Sequence, residues 1–482
     1  MISNKNIVII LVIFLIVLVQ FVLRSQSTKL FGGLGIDGMW YHKVIMDDDY
    51  KPNDYHLFKS FPSYLLKYSF NILGISKTLD NVIYAFKLLN FLSIITSVFV
   101  CYKISVLKNF TKYQSISYIF LLFCSFIILR ISGYDPVTPD YFAFLLSFSL
   151  LFIILNKNNF FTFLLLSISF FTNPVISLIF FLILFFPTDI NYHPSHTLLN
   201  SRWIHVLLSA CFGTLIIIWS VYMIVPMHRA GMELTKWIIP DSLDINVFPV
   251  SVVLASIVCG VLSYQVISNS LAYLNLRNII FISLPWLLIF IGMMVVKSLL
   301  LRHNNVPTDL DDFGHLMFMW PLYFCMKPLC GVSEHIQSFG TLIVLALIYW
   351  KNIVISAKNH LGLGSLIVLL MFILFLIKAE ARHTLPFLPI IGYLVVSVIP
   401  ESTKNRLFFL TVIILGLLLS KFYYPLHLAS FENNSFQSFP AQHYFMFFGF
   451  SVNYTLFNIQ LFLSGFAFVF FFIILRQYER RN

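Results

Sequence analysis

Charge is what this sequence has least of. Asp, Glu, Lys and Arg make up 11% of its 482 residues, against about 25% in soluble globular domains. So few charges cannot clothe a surface in water, which excludes a soluble enzyme, a nucleic-acid binder and a disordered chain. Cysteine is also sparse, with six residues in all. Cys101, Cys124, Cys211 and Cys259 lie within apolar runs, and Cys325 and Cys330 flank Lys327-Pro328. Neither a metal-ligand spacing nor a disulfide framework crowded into loops is present, so they read as small buried hydrophobes. Missing too are a Walker A loop, a Rossmann glycine pattern, Ser-x-x-Lys and His-Glu-x-x-His, which argues against ATP-driven transport and metalloprotease chemistry. No internal repeat is visible, which weakens an inverted-repeat transporter.

Apolar residues fill the space instead: 59% of the chain is hydrophobic and 54 residues are Phe. The net charge of +11 belongs to membrane orientation, because basic residues mark the cytoplasmic side and its anionic lipid. A span needs about 20 apolar residues, and about twelve stretches qualify, from 6–23 to 456–475. The first is read as a retained span, since no small-residue cleavage site follows Phe21-Val22-Leu23-Arg24.

Segment 160–186 is too long for one straight crossing and is broken by Asn173-Pro174. Proline removes a backbone donor and clashes with the preceding turn, so two short helices meeting near Asn173 are expected, as a re-entrant hairpin. The charge distribution supports this. With the hairpin and a cytoplasmic N-terminus, the inner segments hold fourteen Lys/Arg against three acids, Asp189, Glu401 and Glu479. A single crossing would send Arg476, Arg480 and Arg481 outside, against the positive-inside rule. The expectation is a single all-α polytopic membrane domain over 1–482, with about twelve full spans plus the hairpin and both termini cytoplasmic. Long outer loops at 24–80, 301–336 and 424–455 carry the polar residues, with interfacial helices. Short basic inner loops and long acidic outer loops place the chemistry outside, at the membrane surface.

Four constellations could carry that chemistry. The first loop runs Gly35-Ile36-Asp37-Gly38-Met39-Trp40-Tyr41, then Asp47-Asp48-Asp49, then Phe61-Pro62-Ser63-Tyr64. Asp37 precedes a plausible helix and could simply cap it. Trp40 and Tyr41 suit an interfacial belt or a sugar-stacking platform, and the Asp47–Asp49 run reads as a solvated turn or, at best, a divalent-cation site. A second stretch, Tyr134-Asp135-Pro136-Val137-Thr138-Pro139-Asp140, precedes a span that Thr138 or Asp135 could cap. A third, Lys378-Ala379-Glu380-Ala381-Arg382-His383, fills a tight outer turn. There a guanidinium offers a fork of donors for phosphate, and the bland alternative is a Glu380–Arg382 pair. The fourth holds Arg302, His303 and His315, the last within an amphipathic stretch at 313–326.

An Asp just after the first span in the setting Asp-Gly-x-Trp-Tyr, followed by Phe-Pro-x-Tyr, resembles the GT-C superfamily in its mannosyltransferase-like branch. Ile36 stands where that branch often has Trp, and Leu65 where it has a final Pro. The resemblance implies a glycosyltransferase that moves a sugar from a polyprenyl-phosphate donor to a glycan, lipid or protein acceptor at the outer face, in a bacterial inner membrane. By this resemblance Asp37 is the catalytic base. Asp135 or Asp140 orients the acceptor or holds a divalent cation such as Mg or Mn. Arg382, with Lys378 or Arg302, grips the donor phosphate, and Trp40, Tyr41, His383 and His315 line the substrate. The rivals are a transporter or flippase of lipid-linked saccharide and a polysaccharide polymerase. A transporter would need a polar path at mid-membrane, whereas only Lys87 clearly lies mid-span.

Overall fold

The computed structural model describes residues 4–19, then 28–186 apart from 29, 36, 51, 53 and 158, and then 201–229 and 247–270. It further describes scattered positions in 284–295, then 327–399 apart from 379, and finally 406–420 and 454–480. Every extended element among these residues is a helix, as lipid requires: the hydrocarbon offers no water to an unpaired backbone group. Four helices are long and apolar enough to cross a membrane, or six if each of two bent pairs counts as one span. Shorter apolar helices of 10–17 residues stand among them. The protein is therefore a polytopic helical membrane protein, and the twelve-span count is not reached among the described residues.

Two apolar runs expected to be straight spans are bent. Lys112–Phe123 and Ile127–Tyr134 meet at 55°, and Thr341–Ile348 meets Trp350–Leu361 at 86°. The second break has a clear origin. Thr341–Ile348 is wholly apolar save its first residue, whereas Lys351, Asn352, Lys358, Asn359 and His360 make Trp350–Leu361 amphipathic. A half so polar cannot continue through hydrocarbon. Trp350 fixes the corner by donating its indole N–H to the Leu262 carbonyl at 2.9 Å.

Segment 160–186 forms the pair expected of it. Helices Asn159–Phe170 and Pro174–Phe185 have 12 residues each and are thus about 18 Å long. Asn173 begins the second, its side chain accepting from the Val175 N–H at 3.1 Å. The helices fold back on each other: the Ser169 and Ser177 hydroxyls lie 2.7 Å apart, and Ser177 also donates to the Leu166 carbonyl at 3.0 Å. The tip docks on the first loop, where the Phe61 N–H donates to the Phe171 carbonyl at 3.1 Å.

The main apolar core lies between the Leu79–Leu107, Asp140–Leu155, Gly364–Ile377 and Leu388–Val398 helices and their neighbours. A second, smaller cluster under the first loop joins Leu34, Tyr41, Ile45, Leu66, Phe70, Val82, Phe86 and Val137. It seats the short helices Gly38–Met46 and Phe61–Leu73 on the span that follows them. The two cores leave a polar seam between the first loop and the 378–387 turn.

Candidate active site

Hydrogen bonds from the bundle hold each side of this seam. Asn90, on the Leu79–Leu107 helix, donates its amide to the Pro136 carbonyl at 2.7 Å, and the Thr28 N–H donates to the Tyr134 carbonyl at 2.8 Å. Residues 132–139 are thereby tied to a span on one side and to the first loop on the other. Gly35 comes so close to this stretch that a Cβ there would lie 2.0 Å from Asp135 Oδ1, and its φ is +75°. Only glycine satisfies both conditions. On the opposite side, residues Ala381–Phe387 wind into a 3-10 turn. Ser147 donates to the Pro386 carbonyl at 2.6 Å and Tyr118 to the Pro389 carbonyl at 3.0 Å, so the turn is nailed to two other helices.

These attachments bring Asp37 and Arg382 together across 345 positions of chain. Arg382 Nη2 donates to Asp37 Oδ2 at 2.6 Å, and Arg382 Nε donates to Glu380 Oε1 at 2.8 Å. The other Glu380 oxygen takes Lys378 Nζ at 2.9 Å and lies 3.1 Å from His383 Nδ1. Lys378 and His383 also touch each other. The cluster is largely enclosed, with side-chain exposures of 2% for Lys378 and 21% for Asp37. Among the expected site residues, Asp37, Arg382, Lys378 and His383 thus form one network. Asp37 makes no side-chain cap bond to the helix it precedes, so its carboxylate serves the seam and not the helix end.

The charges set the electrostatics. Burial alone would raise the Asp37 pKa, but Arg382, followed by Lys59 and His56, outweighs it and holds the carboxyl below its usual range. Burial would likewise raise Glu380, yet His383, Lys378 and Arg382 pull it well below. Burial lowers Lys378 to about 8, against the opposing pull of Glu380. His56 is pushed down to about 4, chiefly by burial, and is neutral at pH 7. Both acids are therefore ionised at neutral pH, facing cations.

The remaining expected residues fall in different places. Trp40 is half-buried and lies against the His56 ring at 5.4 Å, with Lys43 Nζ 4.9 Å over its own ring. Tyr41 is 2% exposed and packs in the smaller core, so it supports the site but presents no stacking face. Asp135 stands behind Gly35. Asp140 is buried and accepts from the Thr138 hydroxyl at 2.7 Å, while Thr138 accepts from the Asp140 N–H; the residue at the helix start is Pro139, neither Thr138 nor Asp135. Arg302 and His315, with most of loop 301–336 and nearly all of 424–455, lie outside the described residues.

Among the described residues, no three His, Cys, Asp or Glu side chains converge to hold a metal ion. The oxygens of Asp37 and Glu380 that face the network are taken by cations, and one of Asp140 by a hydroxyl. With these oxygens engaged, the chemistry proposed for the site is carried by side chains alone.

Sequence reasoning passed over Lys59 and His56, which stand close enough to Asp37 to shift it, and took Glu380 only as a bland partner. Their signal was present, because His56 and Lys59 lie in the same loop as Asp37. Only the fold turns them inward. A buried Arg130, in the five-residue π-helix Ile127–Ile131, is another cation within the bundle that the sequence reading did not single out.

No family model matches the chain, and no curated protein matches it. Among solved structures, the chain is similar to the archaeal oligosaccharyltransferase AglB from Archaeoglobus fulgidus, in complex with an inhibitory peptide and a dolichol-phosphate. The TM-score is 0.42 and the identity 13%, over 99% of this chain and 56% of that one. The chain thus spans little more than half the length of that protein.

Proposed function

We propose that this protein is a GT-C-type glycosyltransferase that takes a sugar from a polyprenyl-phosphate donor at the outer membrane surface. The observation that carries the reading is the 2.6 Å pair of Asp37 and Arg382, with Lys378 joined to it through Glu380. A carboxylate able to accept a proton and two cations able to receive a phosphate share one enclosed seam. In this reading the donor phosphate competes with Asp37 for the Arg382 guanidinium. Its arrival frees Asp37 Oδ2, and the acceptor hydroxyl hydrogen-bonds there. The acceptor oxygen attacks the anomeric carbon and the bond from that carbon to the phosphate oxygen breaks. The hydroxyl proton passes to Asp37, and the leaving phosphate keeps the electron pair and is stabilised by Arg382 and Lys378. Asp135 and Asp140 shape the wall on the acceptor side, and Trp40 offers its face to a sugar ring.

The test is transfer by purified protein from a panel of polyprenyl-phosphate sugars, comparing wild type with Asp37→Asn. Asn leaves the helix start intact, because no side-chain cap bond is lost. A fall of about 10²–10⁴-fold in rate is expected for loss of a general base. Near-normal transfer by the variant would remove Asp37 from catalysis.

One observation favours the transporter or flippase. Helix Cys330–Phe339 is buried yet carries Ser333, Glu334, His335, Gln337 and Ser338, and Gln337 donates to Ser464 at 2.9 Å. Polar groups inside a bundle mark substrate paths. Movement of a fluorescent lipid-linked sugar across proteoliposomes, without transfer to any acceptor, would support that reading.

A further inference from the structure

Glu380 lies between three other side chains of the site, Arg382, Lys378 and His383. Its Oε1 accepts from Arg382 Nε at 2.8 Å, its Oε2 accepts from Lys378 Nζ at 2.9 Å, and His383 Nδ1 lies 3.1 Å from that second oxygen. The residue is 8% exposed, so these contacts are made out of water, where a charge-assisted bond is strong and directional. We propose that Glu380 is the positioning residue of the site. One of its oxygens aims the Arg382 guanidinium at Asp37, the other holds the Lys378 ammonium in place, and both cations are thereby turned toward a single phosphate. The inference rests on the phosphate-binding reading above.

Two consequences follow from the geometry. Guanidinium direction depends on Glu380 as well as on Asp37, since Glu380 holds Nε while Asp37 takes Nη2. Protonation of Lys378 depends on Glu380 too. Lys378 is 2% exposed, and the groups around it are Glu380, Arg382 and His383 from its own segment, Lys59 from the first loop, and His335 from helix Cys330–Phe339. That helix approaches so closely that a Cβ on Gly331 would lie 1.9 Å from the Ile377 carbonyl oxygen. Glu380 supports the proton on Lys378 against burial and against two neighbouring cations, Lys59 and Arg382.

The experiment compares wild type with Glu380→Gln and Glu380→Asp in the full-length protein, measuring transfer and farnesyl phosphate binding between pH 6 and 10. Glu380→Gln removes the charge and keeps the shape. Its kcat should fall about 10²-fold, as for a misplaced catalytic group. The alkaline limb of farnesyl phosphate binding should move down by about one pH unit, because an opposite charge at contact distance shifts a neighbour by about that much. Glu380→Asp keeps the charge and shortens the reach, so the limb should stay in place while kcat falls. This variant also serves if Glu380→Gln does not fold. A limb unmoved in Glu380→Gln, or moved in Glu380→Asp, would overturn the positioning role while leaving phosphate binding intact. Failure of wild-type protein to bind farnesyl phosphate at any pH would overturn the phosphate reading, and this inference with it.

Discussion

The first loop carries two acidic residues eleven positions apart, Asp37 and Asp48, and the structure treats them in opposite ways. Asp37 is enclosed and bonded to Arg382 from the far end of the chain. Asp48 is 74% exposed and pairs with Lys67 at 2.8 Å and Lys77 at 3.4 Å, both close by in sequence. Each has its pKa lowered by cations, so the shift alone does not separate them. Enclosure does. An exposed pair gains little, pays side-chain entropy and is screened by salt. An enclosed charge that loses its partner is stranded away from water. The Asp48 cluster is a solvated turn, as the sequence suggested. Asp37 belongs to a built site.

The comparison is broken most severely at Arg382. Arg382→Ala should abolish transfer, with a loss of at least about 10³-fold, since it removes the main stabiliser of the leaving phosphate. Arg382→Lys keeps the charge but cannot span Glu380 and Asp37 with two donors, and about 10²-fold should be lost. Both variants should still purify as folded protein, because Lys378 continues to neutralise Glu380 and Lys59 remains near Asp37. Initial rates with a polyprenyl-phosphate sugar check this. Substantial activity in Arg382→Ala would reduce the enclosed pair to a structural contact.

A smaller effect is expected behind Asp37. Gly35→Ala must place a methyl at positive φ, against Asp135 Oδ1. Strained backbone of this kind costs about 1–3 kcal/mol, to be read as a lowered melting temperature in detergent. Activity should fall further than stability, since the displaced loop carries Asp37. An unchanged melt would show that the loop yields freely and that Asp135 is not locked to it.

The least effect belongs to the exposed site. Asp48→Asn should leave transfer within about two-fold of wild type, and the wild-type contribution should vanish in high salt. A large loss there would erase the contrast between the two acids and point to a role for the Asp47–Asp49 turn.

The sequence alone determined the class of molecule. With 11% charge and 59% hydrophobic residues, only burial in lipid is open to the chain, and lipid admits only helices or closed barrels. It also determined the break at Asn173-Pro174, since proline's missing donor acts locally, and it singled out Asp37, Lys378 and Arg382 as candidates, which the fold brings into one network. Tertiary structure decided the rest. Whether Tyr41 faces substrate or core depends on which side of a nine-residue helix meets Phe70 and Phe86. The polar residues of Trp350–Leu361 disfavour one straight span over 341–361, but the 86° corner itself is held by the Trp350–Leu262 contact. Above all, the partner of Asp37 lies 345 residues away. No local spacing encodes that distance. It is set by Asn90 and Ser147 each tying a turn to a helix and by Tyr118 tying the helix after the 381–387 turn to its neighbour, and such ties exist only once the helices have packed.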